Sequence, residues 1–370
     1  MTWTLHPADL DDLSRGATLL GAGGGGDPYI GLLMLRQAMA ECGPVTLVAP
    51  DELDDDAVVV PTSMMGAPTV MTEKIPAGFE PVVALETLER HLGKTATHTM
   101  PVECGGINSM IPLLVGARRG IPVVDADGMG RAFPELQMET FTIYGINGSP
   151  LVLASEWQET ALIDTGADNA RLEWLARAVT IRLGGSGLLA SYSMSGADVK
   201  RSAVPRTLSV ALKLGRALRE ARTGHQDVVD ALRAAVAGTP YPGVFRLMRG
   251  KVTDVERTVA DGFTVGQARL LPDGCADEVI IRFQNENLVA TRGGAVLTIV
   301  PDLICVVEAE TYEPITAERL RYGQRVQVLG IGTPAIMRSG AALRIFGPRA
   351  FRLDREYVPV ETLVTATSEK

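Results

Sequence analysis

"THTMPVECGGINSMIPLLVGARRGIPVVDADG", residues 97–128, decides how the first half of this chain is read. It opens on a strand-like run, THTMPVECGG, which leads into a helical run, INSMIPLLVGARRG, stopped at Gly120. A second short apolar run, IPVVDADG, follows at once and reads as a buried strand. Strand, helix and strand within about 30 residues have the size of a right-handed parallel crossover. Two parallel strands end on the same edge of their sheet, and ligands of open α/β sheets sit outside those carboxyl ends. Glu103 and Cys104 after the first strand, with Asp125 and Asp127 after the second, are therefore expected to converge on one rim. The next segment, GMGRAFPE, brings Arg131 and Glu135 close by. If the earlier run VVVPTS is parallel too, Thr62 and Ser63 join the same edge.

Upstream of this unit the chain alternates in the same way. HPADLDDLSRGATLL reads as a helix with Pro7 and acidic residues near its start, and a second helix runs from about Pro28 to Glu41 with Gly43 as its stop. PVTLVAP and DAVVVPTSMMG are valine-rich strands, while PVVALETLERHLGK opens extended and becomes an amphipathic helix ended by Gly93. Between the first two helices lies LLGAGGGGDPYIG, residues 19–31. Gly21, Gly23 and Gly26 have the spacing of a dinucleotide fingerprint, but that motif needs a strand before it, and here a helix precedes it. Asp27 as N-cap and Pro28 at the first helical position explain the end of the loop. The expected role is a backbone-lined small-molecule site at Gly24, Gly25 and Asp27, where side chains would block close approach. The plainer alternative is a glycine hinge that lets two helices cross.

After about residue 165 the texture changes. NARLEWLARAVTIRLGG is a helix, SGLLASYSMSG looks extended, and a long helix begins near Pro205. From about residue 240 the chain becomes a series of short β-rich runs broken by glycine and proline, the signature of a compact barrel or sandwich. The expected architecture is an α/β N-terminal domain over 1–165, with a mostly parallel sheet and flanking helices. A C-terminal domain over 166–365 follows, helical at 168–222 and then a β-rich barrel or sandwich.

With 370 residues, 46% hydrophobic and 21% charged, the chain can bury ample apolar surface. A net charge of −9 argues against nucleic acid and anionic membranes as partners. No apolar run approaches the roughly 18 residues of a membrane span, and the acidic opening MTWTLHPADLDDLSRG lacks the pattern of a signal peptide. Cys42, Cys104, Cys275 and Cys305 lie far apart without a C-x-x-C, as in a reduced cytoplasmic protein. The four histidines are scattered and none has metal-ligand spacing. A cytoplasmic homo-oligomer acting on a small molecule, with no cofactor and no metal, is expected.

Six segments together carry a resemblance: LLGAGGGGDPYIG, PVECGGINSMIPLLVGARRGIPVVDADGMGRAFPELQM, RTLSVALKLGRAL, FQNENLVA, VPDLICVVE and IFGPRAFRLDREYVPVE. In this order, over nearly the whole chain, they resemble the S-methyl thiohydantoin desulfurase-like family, known from genes beside hydantoinases and oxoprolinases. The resemblance implies an α/β domain followed by a β-rich one. It also implies hydrolysis of an S-methylated thiohydantoin to a hydantoin and methanethiol. Cys104 departs from the family's pattern, whereas Glu103 and Gly105-Gly106 fit it.

That chemistry needs a base to activate water and an acid to protonate the ring nitrogen or the departing thiolate. Neighbouring carboxylates can push their pKa values apart to divide these roles, which makes Glu103, Asp125 and Asp127 the catalytic candidates. Arg131, or a helix N-terminus near Ile107, would hold a ring oxygen or a substrate carboxylate, and Asn108 would orient the ring. Each has a structural rival: the two aspartates as turn formers, Glu103 as a helix cap, Arg131 paired with Glu135. Cys104 is a nucleophile or an inert buried thiol, and Asn285-Glu286 face a cleft or form a bulge. Two other function classes remain: a non-catalytic sensor of hydantoin-type rings, and a metal-dependent hydrolase using the acidic residues with His98.

Overall fold

The crossover unit lies at the centre of a large sheet in the computed structural model, which describes residues 2–67, 70–74, 76–260 and 263–368. Val45–Val48, Val123–Val124, His98–Met100 and Val58–Gly66 lie side by side and parallel, in that order. Antiparallel strands extend this parallel centre on both flanks. Trp3–Leu5 pairs with Val45–Val48, and on the other side Ser186–Ala190, Leu151–Ala154 and Thr160–Ile163 follow in sequence. The expected α/β layering therefore holds, and VVVPTS is parallel to the crossover strands, which puts Thr62 and Ser63 on their edge.

Helices Leu10–Leu20, Tyr29–Cys42, Glu80–Leu92 and Ile111–Arg119 cover the sheet. Gly93 and Gly120 close the last two in the left-handed conformation, as their positions suggested. One boundary differs from expectation. The run at 81–83 is helical from Glu80 onward, because the buried Glu80 carboxylate accepts the N–H groups of Ala77 and Gly78, both at 2.7 Å. A carboxylate at the first helical position thus fixes the turn that leads into the helix, and the β preference of the two valines is overridden.

Residues 169–236 return to this first layer. Ser186–Ala190 enters the sheet, and the helix Thr207–Thr223 crosses Leu10–Leu20 where Gly16 meets Gly215. A Cβ on Gly16 would overlap the carbonyl of Ala211, and one on Gly215 the carbonyl of Asp12. Helix propensity alone favours alanine at Gly215 by about 1 kcal/mol, but forcing two backbones apart costs about 1–3 kcal/mol or more. Gly215→Ala should therefore lower the denaturant midpoint; a raised midpoint would mean that the crossing has room to spare.

From Val244 the chain builds a second, fully antiparallel sheet. Its order is Ala295–Ile299, Glu286–Arg292, Val279–Gln284, Phe263–Pro272, Val244–Ala260, Arg325–Ile331 and Leu303–Glu308. Bulges near Val252 and Arg246 bend the long Val244–Ala260 strand and curl the sheet into a half-barrel. Its concave side is filled by Val252, Leu270, Ile281, Phe283, Val306 and Val328. The open choice between barrel and sandwich resolves to this single curled sheet. Among the described residues, no helix is long and apolar enough to cross a membrane.

Candidate active site

At the carboxyl edge of the parallel strands a cavity opens between the first sheet and the half-barrel. About 610 Å³ in it is free of protein atoms, part of it open to solvent. The strand Val58–Gly66 contributes Ser63 and the two methionines after it, and the loop after His98–Met100 contributes Glu103 and Asn108. The glycine loop forms one wall. Gly25, at φ +72°, lies directly on Gly105, and Gly106, at φ +55°, lies on Gly25 and Gly26. Any Cβ at either contact would overlap backbone in a conformation that side chains already disfavour. The N–H of Ile107 donates to the Gly25 carbonyl at 3.0 Å and fixes this contact.

Among the described residues, three buried carboxyls line the cavity. Two of them, Glu103 and Glu286, come from separate parts of the chain and form no ion pair, whereas Glu173 pairs with Arg177. Glu103 accepts the Asn108 amide on Oε1 at 2.7 Å and the Phe133 N–H on Oε2 at 3.3 Å. Asn108 in turn accepts the Met64 N–H at 2.7 Å, so the strand Val58–Gly66 sets the position of the Glu103 carboxyl. Burial, and then the neighbouring Glu286, hold Glu103 well above the usual carboxyl range. Glu286 begins the strand Glu286–Arg292. Its Oε1 accepts the Gly25 N–H at 3.2 Å, and its buried Oε2 has no hydrogen-bond partner in the protein. Burial pushes Glu286 up to about 7 against the opposing charge of Arg131. A Cβ on Gly24 would overlap this carboxyl, so the glycine loop gives Glu286 its space.

At the mouth stand Glu135, Glu173 and Arg177. Arg177 pairs with Glu173, donates to Pro134 O at 3.0 Å and stacks on Phe263, with 4.5 Å to the ring centroid. Glu135 accepts from Gln137, and burial raises its pKa.

Residues 8–165 match the family model described as "S-Me-THD-like, N-terminal domain", and residues 167–360 match "S-Me-THD-like, C-terminal domain". The chain belongs to the S-Me-THD-like family. A protein from Chromobacterium violaceum with a solved crystal structure is similar throughout. It is 26% identical with a TM-score of 0.82, and the match covers 97% of this chain and all of that one. No curated protein matches the sequence.

In this S-Me-THD-like chain, Glu103, Asn108, Glu135 and Gly25 line the cavity, while other residues expected at the rim are engaged elsewhere. Asp125 accepts the N–H of Ser209 at 3.0 Å and its hydroxyl, and so anchors the start of the helix Thr207–Thr223. Asp127 accepts three backbone N–H groups, from Cys104 at 2.5 Å, Gly130 at 2.8 Å and Met129 at 3.3 Å. It ties the two rim loops together beneath the cavity, where burial raises its pKa to about 7. Arg131 does not pair with Glu135. It is fully buried and donates to the carbonyls of Asp302 at 2.8 Å, Asn287 at 3.0 Å, Ala132 at 3.1 Å and Pro301 at 3.4 Å. Asp27 accepts the Tyr29 N–H at 3.0 Å and pairs with Arg319 in a separate cleft on the outer side of the glycine loop. The helix expected near Ile107 begins there as a 3-10 turn, Gly106–Ser109, and becomes α-helical at Ile111, but the Ile107 N–H is already spent on Gly25. Among the described residues, no group of three or more histidine, cysteine, aspartate or glutamate side chains is arranged to hold a metal.

Cys104 sits in the apolar core rather than on the cavity wall, and burial raises its thiol well above its ordinary value. A thiol so held is a poor nucleophile. Cys104→Ser should keep most of the activity, and a thousandfold fall with the fold intact would restore Cys104 as a reacting group. Glu286 is the cavity residue that sequence reasoning undervalued. Its signal was the polar pair Asn285-Glu286 interrupting a β-patterned run.

Proposed function

We propose that the chain hydrolyses an S-methyl thiohydantoin to the hydantoin and methanethiol, by adding water to the sulfur-bearing ring carbon. The observation that carries this reading is the pair of buried carboxyls, Glu103 and Glu286, facing one cavity. Like-charged neighbours cannot both ionise cheaply, so one holds a proton while the other acts as base. Glu286, with a free Oε2 and a pKa near 7, suits the base. Glu103, held well above the usual carboxyl range by burial and by the charge of Glu286, suits the acid.

Glu286 takes one proton from water as the oxygen bonds to carbon, and Glu103 gives its proton to the ring nitrogen. The tetrahedral carbon then expels methanethiolate. Its new hydroxyl returns a proton to Glu103 as the carbonyl forms, and Glu286 protonates the thiolate. Both carboxyls end as they began: one hydrogen of the water finishes on sulfur, and the other replaces on Glu103 the proton given to nitrogen. Asn108 is a positioning residue, since its amide holds Glu103. Arg131, bound to four carbonyls, is not free to meet an acidic ring substituent.

Purified protein offered a panel of 5-substituted S-methyl thiohydantoins should release thiol, followed with a chromogenic disulfide. The rate should show a bell-shaped pH dependence, with the acidic limb near pH 7 from Glu286, as base, and the alkaline limb from Glu103, as acid. Saturable binding of a ring without thiol release across the panel would favour a sensor instead.

A further inference from the structure

The strand Val58–Gly66 brings two hydroxyls to the carboxyl edge, and the pleat sends them to opposite faces of the sheet. Thr62 meets the neighbouring parallel strand, where its Oγ1 lies 3.0 Å from that of Thr99. Ser63, one residue on, lines the cavity. It is buried, its Oγ has no hydrogen-bond partner in the protein, and the mechanism above does not use it.

The other polar side chains of the cavity are already engaged. Glu103 accepts from Asn108 and Phe133, and Asn108 gives its amide N–H groups to Glu103 at 2.7 Å and to Met64 O at 3.3 Å. Arg177 is held by Glu173 and Pro134 O, and Glu135 accepts from Gln137. Asn285 is only half-buried and accepts the Thr264 N–H. Among the described residues that line the cavity, the buried side-chain oxygens without a partner are Ser63 Oγ and Glu286 Oε2. An unpaired buried polar atom is costly, so where one lines a cavity a ligand is the natural partner. The two atoms differ in kind: Glu286 accepts a proton from water, whereas the hydroxyl is a neutral donor.

We infer that Ser63 binds the substrate, donating its hydroxyl to the ring carbonyl oxygen that the reaction leaves in place. The inference deepens the hydrolase reading and rests on it for the identity of the ring. That carbonyl is an acceptor which needs a donor once it is buried. Glu103 gives its proton to the ring nitrogen, so Ser63 is the buried neutral donor left for the oxygen. The frame around it is rigid. Ser63 pairs with Leu189 inside the sheet, and the next N–H, that of Met64, donates to Asn108 at 2.7 Å, which in turn holds Glu103. One strand therefore fixes both the anchor of the ring and the acid that serves its nitrogen. Glu286 reaches the same ring from the half-barrel.

Ser63→Ala removes the donor and leaves the strand in place. The carbonyl is bound before and after the chemical step, so KM should rise roughly tenfold while kcat and both pH limbs stay where they are. 5-Methylhydantoin keeps this carbonyl, and calorimetry should show its binding weakened by the same roughly tenfold factor, without any turnover. Methylthio-imidazoline, the ring without that carbonyl, should bind parent and variant equally. Ser63→Thr, which keeps a hydroxyl, should recover part of the loss. The denaturant midpoint of Ser63→Ala should be unchanged or raised, because no protein partner is lost. A marked fall in the midpoint, equal binding of 5-methylhydantoin by parent and variant, or an equal loss on the carbonyl-free ring overturns the proposal. Thiol release with unaltered 5-methylhydantoin affinity in the variant strikes Ser63 alone. Ser63-dependent binding of that ring without thiol release strikes the hydrolase reading and upholds the anchor.

Discussion

Glu286→Gln and Glu103→Gln should each lower turnover by roughly 10²–10⁴, the usual reach of a general base or acid, while leaving the fold intact. Stability separates loss of chemistry from loss of structure. The folded protein holds Glu286 at about 7, above its ordinary 4.5. Between these values the folded state keeps a proton that the unfolded chain has released, so stability falls as pH rises through that window. The glutamine variant lacks this penalty. It should unfold at higher denaturant than the parent above about pH 7, and show no such advantage below about pH 4.5. A variant that is more stable yet inactive places the defect in the reaction. If Glu286→Gln retains full activity, the base is some other group.

Arg131→Met should have the largest effect on stability. Its guanidinium lies at the seam between the first sheet and the half-barrel, binding the carbonyls of Asn287, Pro301 and Asp302 and lying 5.0 Å from the centroid of the Phe133 ring. Removing one partner from a buried, hydrogen-bonded charge costs about 3–5 kcal/mol, and domains typically hold only about 5–15 kcal/mol in total. Chemical denaturation should register a loss of that size. Arg131→Lys should recover little, because a single ammonium cannot reach carbonyls spread around a planar fork. A loss below about 1 kcal/mol would mean that the seam is held by its apolar packing.

The fold was legible where local rules act alone. The crossover unit announces itself through two apolar runs, a helix between them and Gly120 as its stop, and all three depend on neighbours in sequence. Part of the site follows from the same logic. A residue just past the end of a parallel strand lies on the rim, and this puts Glu103 and Asn108 at the cavity. What sequence cannot supply is the identity of distant donors and acceptors. Asp125 looked like a rim acid, but its partner Ser209 lies 84 positions away. Arg131 looked like a ligand for an anion, but the carbonyls of Asn287 and Asp302 lie 156 and 171 positions away. Glu286 posed the converse problem. Asn285 before it adopts a left-handed conformation, φ +56°, held by the N–H of Thr264 donating to its side chain at 2.8 Å. Only that cross-strand pairing reveals the interruption as the device that turns a carboxyl toward the cavity.

The most direct measurement is the origin of the oxygen in the first product formed. Enzyme in excess over an S-methyl thiohydantoin, mixed in water enriched in oxygen-18, should give hydantoin carrying one heavy oxygen at the carbon that held sulfur, together with one equivalent of methanethiol. That is the mark of water added directly to the ring with Glu286 as base. Thiol release with an unlabelled hydantoin in this single turnover would contradict the account, because the oxygen would then have come from a carboxyl of the protein acting as nucleophile.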